Sequence, residues 1–491
     1  MSVFTNLVTT GSTVSFMRND SDSYTTVNFN YATGVVTLGL YGGLNGVGLP
    51  ANTHRTMTYD SSTDTVTAMN LVTGYGYRYP TTTTFGGGSD TIIGISKNDL
   101  IYAGGGDDIV TSGTGNDIVY GQDGNDIISG SGSLTSLYGD RNMFFGGNGD
   151  DTLDGKTGND WLFGGSGLNL YKDMTGHNVV IGGIDSDTVH TGTGNDIILD
   201  SFGNNFIWSG AGDDFIVTGN GVDDIKAEAG DDIVYAGGGN DTVRGFDGND
   251  KLYGGLGDDD MYGGNQDDIL YGNEGADSLK GDAGNDTLYG GDGNDFLWGY
   301  NDSDVLYGDA GDDNLDGGNG NDLMFGGAGA DYLQGGKGAD TLFGDEGNDT
   351  LRGGLDNDIL YAGADTDTLM GDAGDDILSS AGLGKAIMTG GLGADTFQFT
   401  GIGNDFATVK DFQGNDKIEL QGLLQGFDPL QDAISDFVRV KFRDSHSTDI
   451  KINVDGQGED FVTIARLNGN FDGLSANILF AQGRLVVTDE A

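Results

Sequence analysis

A nine-residue period runs from Gly146 to Ser379 without insertion or deletion, and it limits what this chain can fold into more than any other feature. The stretch divides into 26 units, beginning GGNGDDTLD, GKTGNDWLF, GGSGLNLYK and ending GDAGDDILS. Slot six is Asp in 23 units and Asn in the other three, at Asn169, Asn178 and Asn205. Asp makes up about one residue in seven of the chain, so chance would fill only about four of these slots. Slot four is Gly in 21 units, with Asp185, Gln266, Asp302, Asp356 and Asp365 as the exceptions. Slot eight is aliphatic almost throughout.

Shorter stretches flank the array. Five units run from Phe85 to Ser129, a degenerate sixth follows (GSGSLTSLY), and residues 139–145 leave the register. After Ser379 the frame slips by one residue, and GGLGADTFQ (390–398) resumes it. Each slot has a physical role. Gly at slots one, two and four permits positive φ and close backbone approach, so the first six residues make a tight turn. The last three alternate outward, inward, outward as a short strand. Two units then make one coil of a flattened parallel β-roll, an all-β fold whose narrow interior is filled by slot eight. One unit alone buries nothing, so the structure depends on stacking.

Composition says what the turns are for. The chain carries 77 acidic and 22 basic residues, a formal net charge of −55, and only six of the acids are Glu. Glu would solvate a surface equally well, whereas Asp fits tight turns. Such a charge argues against nucleic acid, which needs Lys and Arg to displace counterions, and against acidic membrane surfaces. There is no Cys, which excludes a disulfide framework, a thiolate metal site and a Cys nucleophile. No apolar run is long enough to span a bilayer, and MSVFTNLVTTGSTVSFMRND has no cleavable Sec signal.

The units from 85 to 398 resemble the calcium-binding nonapeptide of RTX proteins, over about two-thirds of the chain. That resemblance implies Ca²⁺ between turns stacked on one edge, two units apart. The earlier turn supplies carbonyls of slots two and four with its Asp, and the later one supplies carbonyls of slots one and three with its Asp. One site would use Gly291, Gly293 and Asp295 with Gly308, Ala310 and Asp313. Its neighbour on the other edge would use Asp282, Gly284 and Asp286 with Gly299, Asn301 and Asp304. Mixed carboxylate and carbonyl oxygens suit Ca²⁺ better than Mg²⁺. The expected metal-binding aspartates are Asp90, Asp99, Asp108, Asp117, Asp126, Asp151, Asp160, Asp196, Asp214, Asp232, Asp241, Asp250, Asp259 and Asp268, followed by Asp277, Asp286, Asp295, Asp304, Asp313, Asp322, Asp331, Asp340, Asp349, Asp358, Asp367, Asp376 and Asp395. The competing reading, in which these side chains merely cap their own turns, leaves stacked carboxylates about 5 Å apart with no cation between them. Residues 85–389 hold about −46 of the charge, and two stacks of 13 turns offer at most about 24 sites.

The array is not uniform. Slot eight is Val or Ile from Val180 to Val243, then Leu or Met from Leu252 to Leu378. Across the divergent repeats of 164–235, slot-one Gly is replaced at Asp173, Thr191, Asp200, Ser209, Thr218 and Ala227. All three slot-six Asn lie within 164–208, so weak or empty sites are expected there. Slot nine carries Tyr253, Tyr262, Tyr271, Tyr289, Trp298, Tyr307, Phe325 and Phe343. Stacking between neighbouring strands explains such an outward ladder more simply than contact with a partner does.

Residues 1–84 have four acids, three bases and no slot pattern; SVFTNLVT, STVSFM, TTVNFN, VVTLGLY and DTVTAMNLV read as short strands. They form a small β-domain, either a cap for the first coil or an anchor or carbohydrate-binding module. The stretch from Asp411 to Ile418 resembles the segment that closes RTX rolls, and residues 390–491 resemble the C-terminal target domain of type I secretion substrates. The domains expected are therefore 1–84, 85–389 and 390–491.

Sites of catalysis are not evident. His54, His177, His190 and His446 form no H-E-x-x-H, and no G-x-S-x-G occurs. The reading is a non-enzymatic, secreted, calcium-binding structural protein: a bacterial surface-layer, matrix or adhesive component. Its expected partners are the type I secretion machinery and either further copies of itself or cell-surface polysaccharide. The alternative is a soluble effector that engages a glycan or host molecule through residues 1–84.

Overall fold

The computed structural model describes residues 4–10, 13–20, 23–30, 35–41, 54–60, 65–69, 81–94, 98–131, 140–380, 383–401, 406–424, 427, 432–444, 447–454, 460–468 and 475–488. The chain divides into two compact units, 1–265 and 266–491.

In the first unit, β1 (Phe4–Thr10), β2 (Thr13–Asp20), β3 (Ser23–Asn30), β4 (Val35–Tyr41), β5 (His54–Asp60) and β6 (Thr65–Met69) form a six-stranded antiparallel meander. The roll begins at Thr81, ahead of the expected Phe85, because Thr81–Thr84 pairs in parallel with the strand from Asp99. From there each strand pairs in parallel with the strand one coil, or two units, further on, as in Leu100 with Ile118. Strands alternate between two sheets, and slot eight points between them: Val119, Val180, Ile198 and Val243 are fully buried. Parallel ladders covered on both faces read as apolar runs, and that is the pattern of VVI at 179–181 and IIL at 197–199.

The register break falls differently from the expected 139–145. Asp140 already bridges Gly158, and Met143–Asn148 pairs in step with Trp161–Ser166, so Asn142 and Phe144 occupy slots six and eight. The step across the break is longer than a regular coil, with Ile118 opposite Met143 and Ile127 opposite Thr152. The extra residues are therefore accommodated ahead of Asp140.

One sheet of this unit also has an apolar outer face. Its slot-seven and slot-nine residues Val179, Ile181, Ile197, Leu199, Phe215 and Val217 are buried together with Phe145 and Phe163. On the opposite sheet Ile109 and Ile127, also in slot seven, are about half exposed.

The second unit is built from the same kind of coil. Thr287–Asp292 pairs with Val305–Ala310, which pairs with Leu323–Ala328, one regular coil at each step. Strands here are longer than the short VVI and IIL strands of the first unit, because the backbone of slots one to three goes on pairing with the next coil. The frame slip is absorbed where Ala364 pairs with Leu383, a step longer by a single residue. Slot-nine rings stack in series: Tyr271, Tyr289, Tyr307, Phe325, Phe343 and Tyr361 have centroids 4.6–4.9 Å apart and nearly parallel planes. At the end, Lys417–Gln421 pairs in parallel with Thr396–Phe399 and with Leu485–Thr488, and Ala407–Val409 pairs with Val462–Asn468. An antiparallel meander (Val438–Asp444, Ser447–Ile452, Val462–Asn468) and two short helices, α1 (Ile434–Phe437) and α2 (Ala476–Ala481), complete the unit. Among the described residues no helix is long and apolar enough to cross a membrane.

Candidate metal centre

The slot-six aspartates form a buried ladder along each edge of the roll. Along it, Oδ1 accepts the backbone N–H of the slot-six residue one coil earlier. Asp304 takes that of Asp286 at 2.8 Å, Asp322 that of Asp304 at 2.9 Å and Asp340 that of Asp322 at 2.9 Å. On the other edge Asp313 takes Asp295 at 2.8 Å and Asp331 takes Asp313 at 2.8 Å. The same bond recurs through the first unit, from Asp90 to Asp108 and from Asp214 to Asp232.

The second oxygen is different. Oδ2 of Asp286, Asp295, Asp304, Asp313, Asp322, Asp331, Asp340, Asp349, Asp358, Asp367 and Asp376 is buried and meets no hydrogen-bond donor. A buried carboxylate oxygen without a partner costs several kcal/mol of lost hydration, so a whole ladder of them calls for cations or protons.

Slot-one glycine shows where a cation fits. A methyl on Gly326 would lie 2.6 Å from Oδ2 of Asp331 and 2.7 Å from the carbonyl oxygen of Gly344. On Gly299 it would meet Oδ2 of Asp304 and, at 2.8 Å, the carbonyl of Gly317. A carboxylate oxygen and the next coil's slot-one carbonyl thus converge on the space that a side chain would fill. The need for glycine at slot one is therefore room, whereas slots two and four need a positive φ. Gly291 sits at 111° and Gly293 at 150°, and residues such as Asp282 (74°) and Asp302 (70°) take the same strained region.

In the first predicted site, Asp295 Oδ2 and the Gly308 carbonyl flank the space beside Gly290, Asp313 is bound to the Asp295 N–H, and the Ala310 carbonyl accepts from the Gly293 N–H at 2.8 Å. In the second, Asp286 and Asp304 are joined in the same way, while the Asp282 carbonyl accepts from the side-chain amide of Asn301 at 3.3 Å. Among the described residues no three acidic or His side chains converge on one point. The donor set is consequently carboxylate plus main-chain carbonyl, all oxygen, which fits Ca²⁺.

Burial and neighbouring carboxylates raise these acids far above the ordinary range. Burial pushes Asp304 and Asp358 up to about 8, Asp286, Asp313 and Asp340 up to about 7, and Asp295 and Asp322 up to about 6.

Three features lay outside the sequence reading. Asp187 and Asp223, slot-six aspartates not among the expected metal ligands, stand in the same ladder, accepting from Asn169 and Asn205 at 2.7 and 2.6 Å. Slot five forms a second, exposed ladder: the backbone N–H of Asn285 donates to Asp267, Ser303 to Asn285 and Ala339 to Asn321. The recurrent Asn or Asp at that slot was the available signal. His177 does this work too, its Nδ1 accepting from Asn195 N–H at 2.8 Å, while His190 packs against Phe206 and Trp208. The side chains of His54 and His446 lie outside the described residues.

The closing segment extends the ladder. Asp416 accepts from the Asp395 N–H at 3.2 Å, and both oxygens of Asp411 take the N–H groups of Gly390 and Gly391 at 2.9 Å.

The family model for the RTX calcium-binding nonapeptide repeat matches residues 86–133 and 145–378 in overlapping windows, more than half of the chain. A search of curated proteins gave no match.

Proposed function

Because the chain belongs to the RTX calcium-binding repeat family, we propose that it is exported by a type I secretion system, folds on Ca²⁺ outside the cell, and serves as a structural component of a bacterial surface layer, matrix or adhesive. The observation that carries this reading is the buried, donor-free Oδ2 in successive turns. At low calcium those oxygens oppose folding, and the chain stays open and exportable. At extracellular calcium, where such modules bind at about 10⁻⁴–10⁻³ M, the metal supplies the folding free energy. The parallel roll is a structural, non-catalytic architecture, and it makes up most of the described chain.

Residues 390–491 contribute the type I export signal in this reading, and the pairing of Lys417–Gln421 onto the last coil also makes them the roll's C-terminal closure. Expected results are a strand signal in far-UV circular dichroism that, at about pH 8, appears with Ca²⁺ and vanishes with chelator, and calcium-dependent assembly on cells or into sheets. A protein that stays monomeric at millimolar Ca²⁺ and does not decorate cells would rule out the structural role. Strand signal insensitive to chelation would rule out the folding trigger.

A further inference from the structure

Two of the three Asn turns keep a carboxylate by a different route. The turns of 173–178 and 200–205 carry Asn at slot six, but each also carries Asp at slot one, where the consensus has Gly. Asn178 and Asn205 still perform the ladder's structural task, their Oδ1 accepting the N–H of Asp160 and of Asp187 at 2.9 Å. Their amide nitrogens, standing where a carboxylate would have Oδ2, donate to the carbonyls of Gly176 and Phe202. The metal-facing oxygen is thereby lost from slot six.

Slot-one Asp brings it back. Asp173 and Asp200 send their carboxylates to the space beside the slot-one glycine one coil earlier. A methyl on Gly155 would meet Oδ2 of Asp173 and, at 2.6 Å, Oδ2 of Asp160. A methyl on Gly182 would run into the Asp200 carboxylate, Oδ1 at 2.5 Å; the Asp187 carboxylate lies against that of Asp200, its Oδ2 accepting the Gly183 N–H at 3.0 Å. Asp200 is 1 % exposed, and neither of its oxygens meets a donor in hydrogen-bonding geometry; Oδ2 of Asp173 and of Asp160 also lack one. The third Asn turn has no such substitution. There the space beside Gly164 is taken by the hydroxyl of Tyr171 and by the Asn169 amide, and Tyr171 donates onward to the Ile181 carbonyl at 3.2 Å.

We propose that Asp160 with Asp173, and Asp187 with Asp200, form two calcium sites in which the second carboxylate comes from slot one, and that the Tyr171 turn holds none. Each pair offers carboxylate oxygens from two successive turns, an all-oxygen set suited to Ca²⁺. The stretch expected to be weak or empty therefore loses one site and keeps two. This proposal rests on the reading of the roll as a calcium ladder.

The test is the number of Ca²⁺ ions on the full chain, counted by native mass spectrometry at saturating calcium. Asp173→Asn with Asp200→Asn should carry two ions fewer than the wild type. The swapped-back chain, with Asp173→Gly, Asn178→Asp, Asp200→Gly and Asn205→Asp, should carry the wild-type number. Asn169→Asp with Tyr171→Leu should gain one. An unchanged count in the double Asn variant overturns the proposal and identifies the pairs as carboxylates sharing a proton. If that variant sheds many ions because its roll opens, the swapped-back chain decides: a count above the wild type by two overturns the proposal. A wild type that carries no calcium at all instead defeats the underlying ladder.

Discussion

Asp304 holds the backbone N–H of Asp286, one coil earlier, through Oδ1 at 2.8 Å, and presents its buried Oδ2 to the space beside Gly299. One carboxylate therefore has two jobs in the proposed function, pinning the previous coil and facing the proposed calcium. The first is done without calcium and the second is not, so the two can be separated by experiment.

The calcium-free roll should be more stable in acid than at neutral pH. Folded Asp304 and Asp358 titrate near 8, Asp340 near 7 and Asp322 near 6, all through burial, against about 3.9 in an unfolded chain. Between those values the folded state binds more protons, so unfolding free energy falls as pH rises. The contribution is fully present below about pH 4 and is lost as pH climbs through 6 to 8. Circular dichroism in chelator should therefore show strand near pH 4–5 that disappears by about pH 8. Calcium must displace those protons, so its apparent affinity should increase over the same range. A flat profile in chelator would contradict the assignment.

Asp304→Asn and Asp304→Ala should part company. Asn keeps the acceptor for the Asp286 N–H and, like the Asp304 carboxyl protonated at pH 5, carries no charge, so in chelator at pH 5 its unfolding midpoint should be close to that of the wild type. Ala strands that buried N–H and should lose about 1–3 kcal/mol under the same conditions. With calcium both should be less stable than the wild type. Urea melts with and without Ca²⁺ read all four values, and equal behaviour of Asn and Ala in chelator would refute the pinning role.

The aromatic stack should stabilise strands and leave calcium alone. Tyr307 lies 4.7 Å from Tyr289 and 4.9 Å from Phe325 with nearly parallel rings. Tyr307→Ala breaks both contacts and should cost about 1–3 kcal/mol, at about 0.5–1.5 per ring pair, while Tyr307→Phe should be close to neutral. The number of bound Ca²⁺ ions should not change in either variant.

Much of this was legible in the repeat, for a physical reason. A period of nine with Asp at slot six and an aliphatic at slot eight fixes which side chain enters the core and which enters the turn, and Leu288 and Asp286 are both buried accordingly. What the slots hid were substitutions whose meaning depends on the neighbouring coil. Asp173 and Asp200 read as losses of slot-one glycine, yet each reaches the turn one coil earlier. Asn142 reads as part of a break because extra residues precede it, and only pairing with the next coil shows it at slot six. Buried Ile197 shares slot seven and its side-chain chemistry with the half-exposed Ile109 and Ile127, since slot number does not say which sheet face is covered.

Gly326→Ala should act on calcium rather than on backbone conformation. Gly326 is not in the positive-φ region, so alanine meets no intrinsic backbone strain there. Its methyl would instead sit 2.6 Å from Oδ2 of Asp331 and 2.7 Å from the Gly344 carbonyl, in the space assigned to the cation. Both oxygens belong to the ladder and cannot retreat without breaking it. The variant should bind one calcium fewer and need a higher Ca²⁺ concentration to fold, by a factor of about 5–30 if the lost site is worth about 1–2 kcal/mol. Gly86→Ala is the matched control, since its methyl meets nothing within 4 Å and should shift stability by less than about 0.5 kcal/mol. Calcium titrations followed by circular dichroism compare the two directly. Equal midpoints for Gly326→Ala and Gly86→Ala would remove the cation from the space beside slot one.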